Sequence, residues 1–314
     1  MDINKIGEFG LIDIIRKKVK NKDKNVKVDI GDDCAVIKIG NKLCLFTTDT
    51  LVEGNHFSLD YFKPEQIGKK AIEVNVSDII SMGGKPKYAL VSLGLRKNLD
   101  VKVFDKIYSS IVETAKKYNI DIIGGNITKS KEIIIDINMI GFVKKDELCL
   151  RSQAKPGDFI FVTGPLGGST AGLNLLKEKS KCFEEIKKKH LEPTAKSGKV
   201  VKFLKYINAM EDISDGLASE VKHICEESNV GAVIYANEVP IENDVKQIAK
   251  KKALDYALFG GEDFELVFTA SKKNLKKVRG ILIGEIRKKP GIFLFKNNKE
   301  EQILKKGYDH FLNS

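Results

Sequence analysis

Phe46-Thr-Thr-Asp-Thr-Leu-Val-Glu-Gly-Asn-His-Phe57 is the stretch on which the reading of this chain turns. An apolar run, Leu43-Cys-Leu-Phe46, leads into it, and four small oxygen-bearing side chains follow at once, Thr47 to Thr50. The run predicts a short strand over 43–46 that stops at the threonines. So much oxygen at the end of an apolar strand calls for a partner, and His56 follows seven residues behind Asp49. Upstream, Ala35 to Ile39 is a second short apolar run, and the turn signal Gly40-Asn41 between the two predicts a hairpin.

Outward from the hairpin, strand and helix patterns alternate. From Pro64, apolar residues at three- and four-residue spacing (Ile67, Ala71, Val74) predict a helix ending at Gly83-Gly84. Tyr88–Leu95 reads as a strand and Val101–Tyr118 as an amphipathic helix. Ile120–Ile123 and Ile133–Val143 read as strands again. The polar stretch after Lys144 and the turn Lys155-Pro-Gly-Asp158 suggest a boundary, giving domains over 1–146 and 147–314. The second half opens with a strand over Phe159–Thr163. Gly164-Pro-Leu-Gly-Gly168 and a helix from about Ser169 follow. Met210–Ser214 then leads into a helix carrying Leu217, Val221 and Ile224. Strands are expected at 232–235, 264–268, 281–286 and 292–295. The fold class is α/β (α+β), two mixed halves.

Composition excludes several classes. With 314 residues, 42% hydrophobic, and only 7 prolines, the chain can bury a sizeable core. No apolar run approaches the roughly 18–20 residues of a membrane span. The N-terminus shows no basic-then-apolar leader. The five cysteines are scattered and form no C-x-x-C pair, which argues against zinc or a disulfide framework and for a cytoplasmic protein. The net charge of +11 raises nucleic acid as a partner, but only five of the 54 basic residues are arginine, so forks for base edges are scarce. A solvated lysine surface accounts for the charge more simply.

Four segments set aspartate beside glycine or small hydroxyls: Ile30-Gly-Asp-Asp33, Thr47-Thr-Asp-Thr50, Asn75-Val-Ser-Asp78 and Asp212-Ile-Ser-Asp-Gly216. Taken singly each has a plain explanation. Asp215 can cap the following helix, and Asp78 can be solvated on a helix face. If they converge, the carboxylates repel and raise one another's pKa until a hard cation neutralises them. Oxygen-only donors suit magnesium, which in turn works on nucleotide phosphates. Asp212 and Asp215, three apart, would point the same way on a helical turn. A Walker A motif is absent. Gly164 to Thr170 fits a strand–turn–helix nest for a phosphate, and Gly124-Gly125 offers a second such turn.

In order, IGDDCAVI, TTDTLVEGNHF, NVSDIISMGG, IIGGNIT, LCLRSQAKPGD, VTGPLGGSTAGL, DISDGLASE, GGEDFEL and GYDHF resemble the thiamine-phosphate kinase family nearly end to end. Selenophosphate synthetase, aminoimidazole ribonucleotide synthetase and a hydrogenase-maturation dehydratase share the wider superfamily. TTDTLVEGNHF together with GGEDFEL and GYDHF favours the kinase, and Cys34 is too apolar in setting for selenide chemistry. The resemblance implies an N-terminal domain that dimerises through its sheet, with ATP and several Mg2+ ions between it and the C-terminal domain. It implies Asp33, Thr47, Thr48, Asp49, Asp78, Asp212 and Asp215 at metal positions. Gly125, Arg151 and Ser214 fall at nucleotide positions, and His56, Glu262 and Tyr308 at positions for thiamine phosphate. Asn126 stands where the family has a metal-binding aspartate, and it keeps an oxygen while losing a charge. The acceptor would be a phosphate oxygen, largely ionised at neutral pH because its second pKa is about 6. Such a reaction needs neither a covalent nucleophile nor an obligatory base.

Overall fold

Helix α1 (Gly7–Lys18) precedes β1 (Val26–Val28), β2 (Ala35–Ile39) and β3 (Lys42–Val52) in the computed structural model, which describes residues 2–305 and 307–311. Helix α2 (Pro64–Ser81), β4 (Lys85–Arg96), α3 (Val101–Lys117), β5 (Asp121–Ser130) and β6 (Ile134–Val143) complete the first half. Its strands form one sheet in the order β1-β2-β3-β6-β4-β5, antiparallel except for the parallel pair β4–β5. The expected hairpin is present, with Ala35 opposite Phe46 and Ile39 opposite Lys42.

The strand expected to stop at Phe46 does not stop there. β3 runs through all of Thr47 to Val52, and Thr48 pairs with Asn138 and Asp49 with Ile137 of β6. The alternation of a pleated strand explains why. Leu45 and Leu51 are buried in the core, while Thr48 and Thr50 are exposed on the opposite face. The oxygens therefore belong to the strand and are divided between its two faces.

Helix α2 is the shared pillar. Pro64 sits in its first turn, and the Lys63 N–H donates to Gln66 Oε1. From Ile67 to Ser81 almost every residue is buried, because the helix packs on β3, β6 and α3 and also reaches the second half. Gly68 permits the close α2–α3 crossing, since a Cβ there would meet the Ile107 carbonyl oxygen at 2.2 Å.

The second half contains β7 (Asp158–Val162), α4 (Gly168–Lys177), α5 (Glu184–Leu191), α6 (Ser197–Val200), β8 (Met210–Asp212), α7 (Leu217–Ser228) and β9 (Gly231–Tyr235). Then come α8 (Asn243–Ala249), α9 (Ala253–Phe259), β10 (Leu266–Ser271), β11 (Ile281–Arg287), β12 (Gly291–Lys296) and β13 (Lys299–Gln302). The sheet order is β13-β12-β9-β11-β7-β10-β8. One face of its β7 and β10 contributes Phe161, Leu266 and Phe268 to the core that holds α2, and the other face packs on α7. The two sheets thus share α2, and β8 brings Asp212 against it.

Candidate active site

Helix α2 presents Ser77, Asp78 and Ser81 on one side; the two serines are tied to carboxylates and Asp78 to a hydroxyl. The Thr47 hydroxyl donates to Asp78 Oδ2 at 2.5 Å, and Ser77 donates to Asp212 Oδ2 at 2.5 Å. Ser81 donates to Asp33 Oδ2. Asp33, Asp49, Asp78 and Asp212 all face one another, from the loop before β2, from β3, from α2 and from β8. Burial, followed by mutual repulsion, pushes Asp78 and Asp212 well above the usual carboxylate range and Asp49 up to about 6. Burial and Asp33 raise Asp32 to about 7, and burial and Glu220 raise Asp215.

Arg151 answers part of this charge. Its Nη2 meets Asp33 Oδ1 and lies 2.8 Å from Glu211 Oε1, while its backbone N–H donates to Asp32 Oδ2 at 3.2 Å. Beyond it, His223 Nδ1 lies 2.9 Å from Glu211 Oε1 and 3.1 Å from Glu220 Oε2. The donors around Asp33, Asp49, Asp78 and Asp212 are all oxygen, crowded and short of positive charge, which fits a hard divalent ion.

Two cavities meet at this cluster. The larger, about 860 Å³, runs from α1 past Asp32, Asp33 and Arg151 to Asp49 and Asp212. The smaller, about 480 Å³, is lined by His56, Tyr61, Phe259, Glu262, Tyr308 and His310 among others. Asp49, Asp78, Ser214 and Asp215 line both. In the smaller cavity Glu262 Oε1 is 2.6 Å from Lys70 Nζ, and Glu262 Oε2 is 3.1 Å from His190 Nδ1. Burial alone would raise the Glu262 carboxyl, but the Lys70 charge and the His190 hydrogen bond hold it well below the usual range. Burial lowers His56 to about 4, so its ring is neutral at ordinary pH.

Asp33, Thr47, Asp49, Asp78 and Asp212 come together, with Arg151, Ser214 and Asp215 beside them and His56, Glu262 and Tyr308 in the adjoining cavity. Thr48 borders the larger cavity, yet its hydroxyl turns to Asp136 at 3.3 Å. Gly125 and Asn126 line neither cavity. They lie in the exposed strand β5, with Asn126 level with Ser92 and Asp136 across the sheet. The turn expected at Gly124-Gly125 is thus a strand, pressed close to β4, where a Cβ on Gly125 would strike the Val91 oxygen at 1.8 Å.

The nest at Gly164 to Ser169 does form, but a carboxylate of this chain fills it. Asp263 accepts from Gly167 N at 2.6 Å and Ser169 N at 3.0 Å. Asp212 and Asp215 share no helical turn either, since Asp212 ends β8 and α7 starts at Leu217. Asp78 lies in the last turn of α2, which ends at Ser81. Lys70, His190 and Glu211 are not singled out by the sequence, and Ser77, Ser81 and His310 enter it only inside longer motifs. For α2 the signal was present: Ile67, Lys70, Val74, Ser77 and Ser81 follow the spacing of the buried face, with polar residues where apolar ones belong.

Residues 31–143 match the family model for AIR synthase related protein, N-terminal domain, and residues 155–288 match its C-terminal domain. A thiamine-monophosphate kinase of Aquifex aeolicus (strain VF5) is 39% identical over 99% of this chain and 100% of its own length. One from Bacillus subtilis (strain 168) is 38% identical over 97% of this chain and 99% of its own. The solved structure of AaThiL complexed with AMPPCP and TMP has a TM-score of 0.89 at 38% identity and covers 99% of each chain.

Proposed function

Because this chain belongs to the thiamine-monophosphate kinase family, its activity is the ATP-dependent phosphorylation of thiamine phosphate, and we propose that transfer occurs where its two cavities meet. The observation that carries this reading is the shared wall: Asp49, Asp78, Ser214 and Asp215 border both spaces. The nucleotide occupies the larger cavity and thiamine phosphate the smaller, so donor and acceptor phosphates face each other across the carboxylates.

Asp33, Thr47, Asp49, Asp78 and Asp212 would hold Mg2+, with Thr48 and Asp215 beside them. When bound, the ions neutralise the two polyanions and polarise the transferring group. The chain's own part is positioning and charge. Arg151, paired with Asp33 and Glu211, lines the larger cavity and would meet a nucleotide phosphate there. Ser214, on the shared wall, contacts the nucleotide. His56 is a substrate contact and not a base, since its ring stays neutral and the acceptor oxygen is already ionised. Glu262 is already charge-matched by Lys70, so it offers the aminopyrimidine an acceptor rather than offering the thiazolium a counter-ion. Tyr308, half exposed at the mouth, covers the bound ring.

A second copy of the chain would pack on the exposed outer face of the first sheet, where Thr48, Leu90 and Asn138 lie open. Gly125 and Asn126 are also exposed there, and a homodimer is the arrangement in which they can serve a nucleotide and metal site, that of the partner copy. A coupled assay of ADP release, run with and without thiamine phosphate at saturating Mg2+, tests the function. ADP release should depend on thiamine phosphate, and equal release without it would refute this reading.

A further inference from the structure

Lys70 is a lysine with no exposed surface, and it lines neither cavity. A buried ammonium is costly unless its charge and donors are satisfied. Its Nζ is 2.6 Å from Glu262 Oε1, donates to the His56 carbonyl oxygen at 2.8 Å, and lies 5.4 Å from the centre of the Phe62 ring. Glu262 is held just as fully. Its second oxygen meets His190, which also lies 3.1 Å from the Ser169 hydroxyl. Its N–H donates to the Ser214 oxygen at 2.6 Å, and its φ is +64°. Lys70 belongs to α2 of the first half, and Glu262 to the loop after α9 of the second.

We infer that Lys70 is a positioning residue for the thiamine-phosphate pocket, its ammonium fixing Glu262 and the His56 loop in one arrangement across the two halves of the chain. The inference rests on the reading that this pocket takes thiamine phosphate. Lys70 acts through Glu262 and touches no ligand itself. The charged and titratable groups facing Glu262 are Lys70 from α2, His190 from α5, Asp49 from β3, His56 and Tyr61 from the loop after β3, and Tyr308 from the C-terminal segment. Burial lowers the pKa of both histidines, so Lys70 is the full positive charge in this set at neutral pH. Without it, Glu262 keeps its burial and loses its counter-charge, and its carboxyl must rise into the acid range of an assay.

Lys70→Met, which keeps the length and loses the charge, should raise KM for thiamine phosphate on the order of 30-fold, with KM for ATP within about 2-fold. It should also add an ionisation to the acid limb of kcat/KM for thiamine phosphate, which then falls more steeply than the wild-type limb set by the acceptor phosphate. The double variant Lys70→Met/Glu262→Gln carries neither charge and escapes an unpaired buried carboxylate, so it folds even if the single variant does not. Its KM should match that of Glu262→Gln within about 2-fold, and its acid limb should be no steeper than that of the wild type. Lys70→Met with an acid limb no steeper than the wild type's, or a double variant well above Glu262→Gln in KM, overturns the inference. A wild type that releases no ADP with thiamine phosphate would refute the functional reading instead. In that case, titration of the Glu262 carboxyl by carbon NMR still reads the link: a midpoint raised in Lys70→Met supports it, and an unchanged one overturns it.

Discussion

Asp49 and Glu262 line the same cavity, yet their carboxyls are driven in opposite directions. Burial raises the first to about 6, while the second ends well below the ordinary range although burial opposes that. The difference lies in their neighbours. Asp49 looks at Asp33 and Asp136; Glu262 looks at Lys70 and His190. One wall of the site is therefore complete as folded, with its charge matched inside the protein. The other is crowded with like charge, and on the proposed function bound Mg2+ would complete it. A buried charge thus reports function by what it lacks as much as by what it touches.

The largest test of this contrast is Asp78→Asn. The amide oxygen can still accept from the Thr47 hydroxyl, so the fold is kept, but one charge leaves the cluster. Turnover should fall on the order of 10²-fold or more, as expected when a charged metal ligand is lost. The chelated protein should melt higher than the wild type, because a repelling carboxylate is gone. Near wild-type turnover at saturating Mg2+, or a lower melting point under chelation, would break the comparison.

A gentler probe is pH. A carboxyl whose folded pKa lies above its unfolded value binds more protons when folded, so it costs nothing below the unfolded pKa and destabilises as pH rises toward the folded one. For Asp49 the window runs from 3.8 to about 6, with the raised Asp78 and Asp212 acting in the same sense. Glu262, depressed below that window, stays ionised through it. Chelated enzyme should thus melt several degrees lower at about pH 7.5 than at about pH 5, and Mg2+ should raise the melting point more at the higher pH. Equal stabilisation by Mg2+ at both pH values would remove like-charge repulsion as the defining property of that wall.

Much of this architecture was legible beforehand because it is periodic. The hairpin of β2 and β3 and the apolar stripe of α2 follow from spacing alone, and the two mixed α/β halves follow from the order of such patterns. The errors occur where tertiary partners decide. TTDT looked like a strand end because threonine and aspartate rarely continue an apolar run, but β6 supplies the ladder that carries β3 onward. The glycine-rich nest before α4 was recognisable, whereas its occupant, Asp263, lies 94 residues from Ser169. Lys70 was hidden by its type: a lysine among lysines reads as surface until Glu262, on the far half of the chain, is seen to meet it.

Asn126 carries the smallest expected effect and sharpens the comparison at its edge. The family resemblance puts it among the metal ligands, but in a single chain it sits on exposed β5, beyond Ser92 and Asp136 on the side of the sheet away from Leu51 and the core. The two facts agree if a second copy brings its strand to the site. Asn126→Asp would then add a charge to the under-neutralised wall from outside the chain. The Mg2+ concentration for half-maximal rate should fall about 2- to 5-fold, with little change in KM for thiamine phosphate. If a second copy donates the carboxylate, that gain should fade as the enzyme is diluted and the donor leaves with the partner. Coincident Mg2+ titrations for the two forms would remove Asn126 from the metal site. A gain that survives in the monomer would place its carboxylate within reach of its own chain's cluster, against the placement of β5.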